Sequence, residues 1–181
     1  MTDAPEFSWC RCTVVSGGQT GADRAALDWA CHHRVAHGGW CPKGRLAADG
    51  PLLPKYQLRE TESTGYRQRT KLNVKDSDAT LVFNRGALDG GTLQTVRFAQ
   101  TLKKPYRVFQ LDQGNLEGVA QELLKWLAIE GFTVINVAGP REEKRPGIYE
   151  SVFSVLDLCW AVEPSAWFHG ELDKVSPVLN L

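Results

Sequence analysis

The chain lacks an excess of either charge: 21 lysines and arginines stand against 21 aspartates and glutamates. A protein that holds nucleic acid through a broad basic field is therefore not expected. Long hydrophobic runs are missing too; none approaches the ~20 residues that cross a bilayer as a helix. The first eight residues include Asp3 and Glu6 and have neither the basic start nor the apolar run of a secretory leader. The five cysteines are odd in number and show no disulfide framework. They read as reduced thiols, so a cytoplasmic location without membrane association is expected. Metal-ligand spacing is absent. Cys10 and Cys12 alternate along a strand start and would point opposite ways, and Cys31, His32 and His33 lack the i, i+4 interval. No metal site is expected. There is no G-x-S-x-G serine and no assignable Cys/His pair, so no catalytic residue is nominated.

What the chain has is a glycine turn used three times. Ser16-Gly17-Gly18-Gln19-Thr20-Gly21 follows the apolar run Cys12–Val15. Asp89-Gly90-Gly91-Thr92 follows Thr80–Phe83 after a short loop, and Ala138-Gly139-Pro140-Arg141 follows Thr133–Val137. Each reads as strand, turn, helix start. The unpaired N–H groups and partial positive charge of a helix N-terminus attract anions, and glycine lets backbone approach a ligand closely. Three such turns at one end of a parallel sheet would line a crevice for an anionic, phosphorylated small molecule. The first turn is not a P-loop, because Ala22-Asp23-Arg24 follows Gly21 where a lysine is needed, and its glycines do not fall at G-x-G-x-x-G. The alternative is a set of tight turns that only let helix pack on strand.

Around the turns, strands and helices alternate. Apolar residues at helical spacing mark helices from about Gly21 to His33, after Gly91, from Leu116 to a cap at Gly131, and from Ile148 onward. Tyr66–Lys75 reads as a polar helix. Val35–Gly39, Ala79–Phe83 and Pro105–Leu111 read as further strands. The pattern predicts an α/β fold with a mostly parallel central sheet flanked by helices, in a single domain over 1–181. Residues 1–9 are expected to be a lead-in and 163–181 a tail without period. Trp40 to Glu62 has little periodicity and reads as a long loop, which is a functional signal in a compact domain.

Candidate contacts follow from charge and shape. Trp40, Lys43 and Arg45 would make a lid, the ring stacking and the cations pairing with phosphate, or else form a solvated basic loop. Asp23 either complements the dipole of its helix or touches the ligand. Arg24 either reaches the ligand or faces solvent. Tyr66, Arg67, Arg69 and Thr70 near Asn73 form a polar helical face, ordinarily a wet one, or else one that touches a ligand or a partner subunit. Arg141 is a better anion contact than Glu142 or Glu143. The nominated binding set is Gly17, Gly18, Gln19, Thr20, Gly21, Asp23, Arg24, Trp40, Lys43, Arg45, Gly90, Gly91, Thr92, Gly139 and Arg141.

Taken together, Val14–Ala30, Gly38–Pro51, Asn73–Phe83, Gly90–Thr92, Asn136–Glu142 and Pro146–Glu150 resemble one family, the molybdenum carrier proteins, in one order from about residue 12 to 160. That family is a circularly permuted YpsA-like branch of a Rossmann-like superfamily that also holds the LOG-type phosphoribohydrolases and DprA. The resemblance implies a Rossmann-like three-layer fold, a homo-oligomer, and molybdenum cofactor (phosphorylated molybdopterin) as bound cargo passed to a molybdoenzyme acceptor. Two other functions stay open. One is a nucleotide-binding sensor. The other is LOG-like hydrolysis of a nucleotide N-glycosidic bond, which in those enzymes uses glutamates after the glycine turn. Here Gln94 and Thr95 occupy those positions. Neither can serve as a carboxylate general base, which favours a carrier over an enzyme, although Asp89 or Glu150 could supply a carboxylate from another direction.

Overall fold

The computed structural model describes residues 7–112 and 114–161. In chain order the main elements are β1 (Thr13–Val15), α1 (Ala22–His32), β2 (Ala36–Gly38), β3 (Trp40–Cys41), β4 (Leu46–Ala47), β5 (Gly50–Pro51) and β6 (Arg59–Glu60). They continue with α2 (Tyr66–Lys75), β7 (Ala79–Asn84), α3 (Gly90–Thr101), β8 (Tyr106–Gln110), α4 (Leu116–Glu130), β9 (Val134–Ala138) and α5 (Ile148–Ala161). β2, β1, β9, β7 and β8 form one sheet in that order, every pair parallel. All five strands therefore end at the same edge. Val14 pairs with Ile135, and Ile135 with Ala79, so β1, β9 and β7 lie side by side and deliver the three glycine turns next to one another.

The sheet separates two unequal layers. Val14, Leu81, Phe83, Ile135 and Val137 share one core with α1, α4 and α5. α1 meets that core with Ala22, Ala25, Ala26 and Ala30, all fully buried, and small side chains let a helix lie close to a sheet. Alternation sends Thr80 and Asn136 to the opposite face, where the Asn136 amide donates to Thr80 Oγ1 at 3.2 Å. α2 and α3 cover that face around Val74, Phe98 and Ala99. α4 ends as its sequence indicates, with Gly131 in the left-handed region at φ 65°.

Two expectations need correction. Residues 7–9 of the expected lead-in are part of the fold: Trp9 is fully buried and its ring meets Trp29 edge-on at 5.1 Å. The rest of that lead-in (1–6) and the tail (163–181) lie outside the described residues. The long loop after Trp40 is structured. β3 pairs in parallel with β6, β4 and β5 form a hairpin, and Leu27, Cys41, Leu52, Tyr56 and Leu58 seal them onto α1. Two-residue strands between prolines and glycines are too short to leave a readable period. Asp28 completes the attachment, accepting from Lys55 Nζ and Tyr56 Oη at 2.8 Å and from Tyr149 Oη at 3.1 Å. Burial and the nearby Asp28 carboxylate push the Tyr149 phenol up to about 12.

Candidate functional site

A cavity of about 540 Å³ opens at the carboxyl ends of β1, β9 and β7. Ligand sites of open α/β sheets lie in this position, and the volume is in the range of a small-molecule site. Five segments supply its wall: the β1–α1 turn, the tip of the β4–β5 hairpin at Ala48, α2, the start of α3, and the β9–α5 loop. Of the sequence-nominated residues, Gln19, Asp23, Gly91, Thr92, Gly139 and Arg141 line it.

The three glycine turns differ in what fills them. At the first, a side chain on Gly17 would run into the Arg69 guanidinium, and one on Gly18 would meet Leu52 at 2.7 Å and Leu58 at 3.0 Å. Gly21, at φ 78°, lies against the Pro140 carbonyl and the Glu142 amide. Gly139 is equally crowded, with Ala22 Cβ and the Phe83 carbonyl each 2.6 Å from where its Cβ would be. These glycines let backbone meet protein. Gly91 is different: nothing stands within 4 Å of its Cβ position. Gly90, at φ 47°, lies beneath the Lys144 ammonium, 3.1 Å from its own would-be Cβ. Room beside a glycine is found at Gly91 at the start of α3, not at Gly17, Gly18 or Gly21.

Charged groups ring the cavity in balanced numbers. Arg69 Nη1 donates to Asp23 Oδ2 at 2.8 Å in a nearly buried pair. Burial raises the Asp23 carboxyl above the ordinary carboxylate range, against the pull of Arg69. Across the cavity, Lys144 Nζ lies 2.6 Å from Asp89 Oδ1, and Arg145 reaches Asp89 Oδ2 at 3.3 Å. The Lys144 hydrogen bond holds the half-exposed Asp89 carboxyl below its usual value. Thr20 Oγ1 donates to Glu143 Oε2 at 2.9 Å. Arg141 joins no ion pair among the described residues; its guanidinium lies over the Tyr66 ring, 4.7 Å from the centroid. That places a free cation and a flat aromatic surface on one wall.

The remaining nominated residues are engaged elsewhere. Arg24 donates to the Gly18 carbonyl at 3.1 Å and 3.3 Å and holds Asp49 in a two-pronged pair at 3.0 Å, clamping the hairpin to the first turn. Arg45, expected on a phosphate, gives its donors to the carbonyls of Leu52, Leu53, Tyr56 and Leu58 at 2.9–3.2 Å. It organises the insertion from within. Trp40, expected to stack on a ligand, lies under the Arg59 guanidinium at 4.1 Å and donates its indole N–H to Asp76 at 2.8 Å. Its backbone is pinned by Asn73. Lys43 is exposed and does not line the cavity. The lid expectation is corrected in this respect: the wall opposite α3 is built by α2 and Ala48 instead.

Tyr66, Arg69 and Thr70, noted in the sequence as a polar face but left outside the nominated set, form one stripe of α2 along the cavity. Their i, i+3, i+4 spacing was the available signal. Asp89, Thr95, Glu143 and Lys144 were also outside the nominated set and line the cavity. Thr95 donates its hydroxyl to the Gly91 carbonyl at 3.0 Å, and Gln94 accepts from Arg67. Among the described residues no cluster of three or more His, Cys, Asp or Glu could hold a metal ion, and no helix is long and apolar enough to cross a membrane.

No curated protein matches the chain. A crystal structure of the Putative molybdenum carrier protein from Syntrophus aciditrophicus SB is similar, with 44% identity and a TM-score of 0.79 over 81% of this chain and 93% of that one. Residues 14–160 match the model of the circularly permutated YpsA SLOG family. The match spans every strand of the central sheet except the first residue of β1 and reaches into α5, so the chain belongs to the circularly permutated YpsA SLOG family.

Proposed function

We propose that this protein binds and carries molybdenum cofactor, a phosphorylated molybdopterin, in the cavity between α2 and the start of α3. The observation that carries this reading is the meeting of an open helix start at Gly91 with the unpaired Arg141 guanidinium in a cavity of about 540 Å³. Amides at a helix start and a guanidinium suit phosphate or an oxo-anion, and Tyr66 suits a flat ring. The name of the similar Syntrophus protein supports the molybdenum-related cargo. In this reading the protein works in the cytoplasm, as a homo-oligomer, and delivers to a molybdoenzyme acceptor.

Binding without covalent chemistry is favoured over N-glycoside hydrolysis by the state of the cavity carboxylates. Asp23 is held by Arg69, Asp89 by Lys144 and Arg145, and Glu143 by Thr20. Each is tied to a partner through at least one oxygen, and Asp23 lies beside a guanidinium that offsets its charge.

Anaerobically purified protein incubated with molybdenum cofactor should slow its oxidative decay and raise its own melting temperature. Ligand at 100 times its Kd adds ~2.7 kcal/mol, or about 2–4 °C per kcal/mol for a chain of this size. Arg141→Ala should abolish much of both effects. Equal decay with and without protein would overturn the carrier reading.

A further inference from the structure

The end of the cavity farthest from Gly91 in sequence carries polar atoms that the protein leaves unmatched. Gln19 is 4% exposed, and its Oε1 accepts the backbone N–H groups of Thr20 at 2.9 Å and Ala48 at 2.8 Å. Two donors directed at one atom fix the orientation of the amide, so Nε2 is the atom that faces elsewhere, and it is buried without a partner. Arg69 Nε is a second buried donor without a partner. Beside them, Asp23 takes both its bonds on Oδ2, from Arg69 Nη1 and from the backbone N–H of Gln19 at 3.4 Å. No donor among the described residues reaches Asp23 Oδ1. All three residues line the cavity.

A buried donor left unmade is costly, so such atoms ordinarily meet a water or a ligand. The charges decide what kind of ligand group fits. Asp23 and Arg69 already neutralise each other, and a second anion beside a buried carboxyl would be repelled. A neutral edge with a carbonyl acceptor followed by N–H donors satisfies Gln19 Nε2 and Asp23 Oδ1 together. A lactam carbonyl, a ring N–H and an exocyclic amino group in a row form that edge in both pterin and guanine. Adenine presents an amino donor where the carbonyl is needed and no ring N–H.

We infer that Gln19 and Asp23 read the lactam-amidine edge of a pterin or guanine ring, with Tyr66 as the flat wall. The inference rests on the proposed binding of a phosphorylated ring in this cavity, and it adds which rings are accepted. It makes Gln19 and Asp23 specificity-determining residues, and it makes the cavity two-ended: neutral ring recognition at the first glycine turn, anion recognition at the second.

Calorimetry on the full chain tests it with four phosphorylated probes, a pterin monophosphate, GMP, IMP and AMP, and with the unphosphorylated pterin beside them. Pterin monophosphate and GMP should bind at least roughly tenfold more tightly than AMP, the loss expected when buried polar groups go unpaired. IMP, which lacks the amino group, should fall between. Asp23→Asn keeps an oxygen for Arg69 but offers N–H where Oδ1 stood; it should collapse the GMP preference over IMP and AMP. The wild-type ranking stands as the test if that variant fails to fold. The order of pterin monophosphate and GMP distinguishes a pterin cargo from a nucleotide. Equal binding of all four probes would overturn ring reading and leave anion binding intact, as would water filling the Gln19 end. Unphosphorylated pterin binding as tightly as its phosphate would leave ring reading intact and overturn the anion site. Binding of none would overturn both.

Discussion

The β1–α1 turn and the start of α3 look alike as sequence, each a glycine pair with a threonine within two residues and a helix, yet their surroundings differ. At the first, Arg69, Leu52, Leu58 and the Pro140 carbonyl occupy the space that missing side chains leave. At the second, Gly91 faces open space. Glycine allows close approach at both places but does not say what approaches. The first turn is a junction where α1, the insertion, α2 and the β9–α5 loop meet, and substitutions there should be felt as lost stability. The second has open space at Gly91, and in the proposed function substitutions there should be felt as lost affinity.

Arg69→Ala should show the largest effect. It removes one partner of a buried ion pair, leaves the Asp23 carboxyl uncompensated, and empties the space above Gly17. Breaking such a pair costs about 3–5 kcal/mol. Denaturant unfolding of variant and wild type measures it. A loss below ~1 kcal/mol would mean that the first turn is not held from α2.

Arg45→Ala comes next. Four carbonyls of the insertion lose a charged donor, for an expected loss of about 2–3 kcal/mol. Affinity for a phosphorylated ligand should stay within about twofold once folding is complete, because Arg45 is not in the cavity wall. A stable variant with weakened binding would restore Arg45 to the lid expected from sequence.

A matched pair of alanine substitutions then addresses the two turns directly. Gly21→Ala forces a side chain onto a backbone at φ 78° and against the Pro140 carbonyl, with an expected cost of about 1–3 kcal/mol. Gly91→Ala adds a methyl in open space at a helix start and should change stability by no more than ~0.5 kcal/mol. Its effect should appear in anion affinity, which falls because the methyl takes ligand space. Thermal melts with and without ligand separate the two outcomes, and a Gly91→Ala variant that binds as wild type would remove the start of α3 from the site.

The comparison also locates what could be read from sequence. The five main strands and five helices were legible because each carries an uninterrupted period, and Tyr66–Lys75 is found with the expected bounds. That the three turns share one edge followed from parallel order. Which turn stays open was not legible, because Arg69 is 52 positions from Gly17 and Leu52 is 34 from Gly18, and nothing local records that they fold back over it. The same distance effect hid the fate of Arg45. Its charge suggested an anion, while its partners were backbone carbonyls, and these carry no sequence signature. Tyr66, Arg69 and Thr70 were visible as a stripe but indistinguishable from a solvated face until α2 was placed beside α3.

The smallest effect concerns the ion pair at the open turn. Asp89 occupies Lys144 and Arg145, the cations nearest to Gly90, so its carboxylate competes with any anion that binds there. Its carboxyl is held below its ordinary value by the Lys144 hydrogen bond, so it stays charged, and the pair stays intact, to lower pH than for a free aspartate. Two consequences have opposite signs. As pH falls through that titration the pair's contribution to folding is lost. Over the same window the competition disappears, so affinity for an anion that keeps its own charge, such as sulfate, should rise. Asp89→Asn should bind sulfate roughly twofold to fivefold more tightly than wild type at neutral pH, the modest scale of half-exposed ion pairs, and should show a flatter acid dependence. The first turn has no such competition, since Asp23 and Arg69 offset each other's charge in a buried pair. A wild-type affinity that weakens in acid, or an Asp89→Asn variant that binds less well, would mean that Asp89 assists the ligand instead of standing in for it.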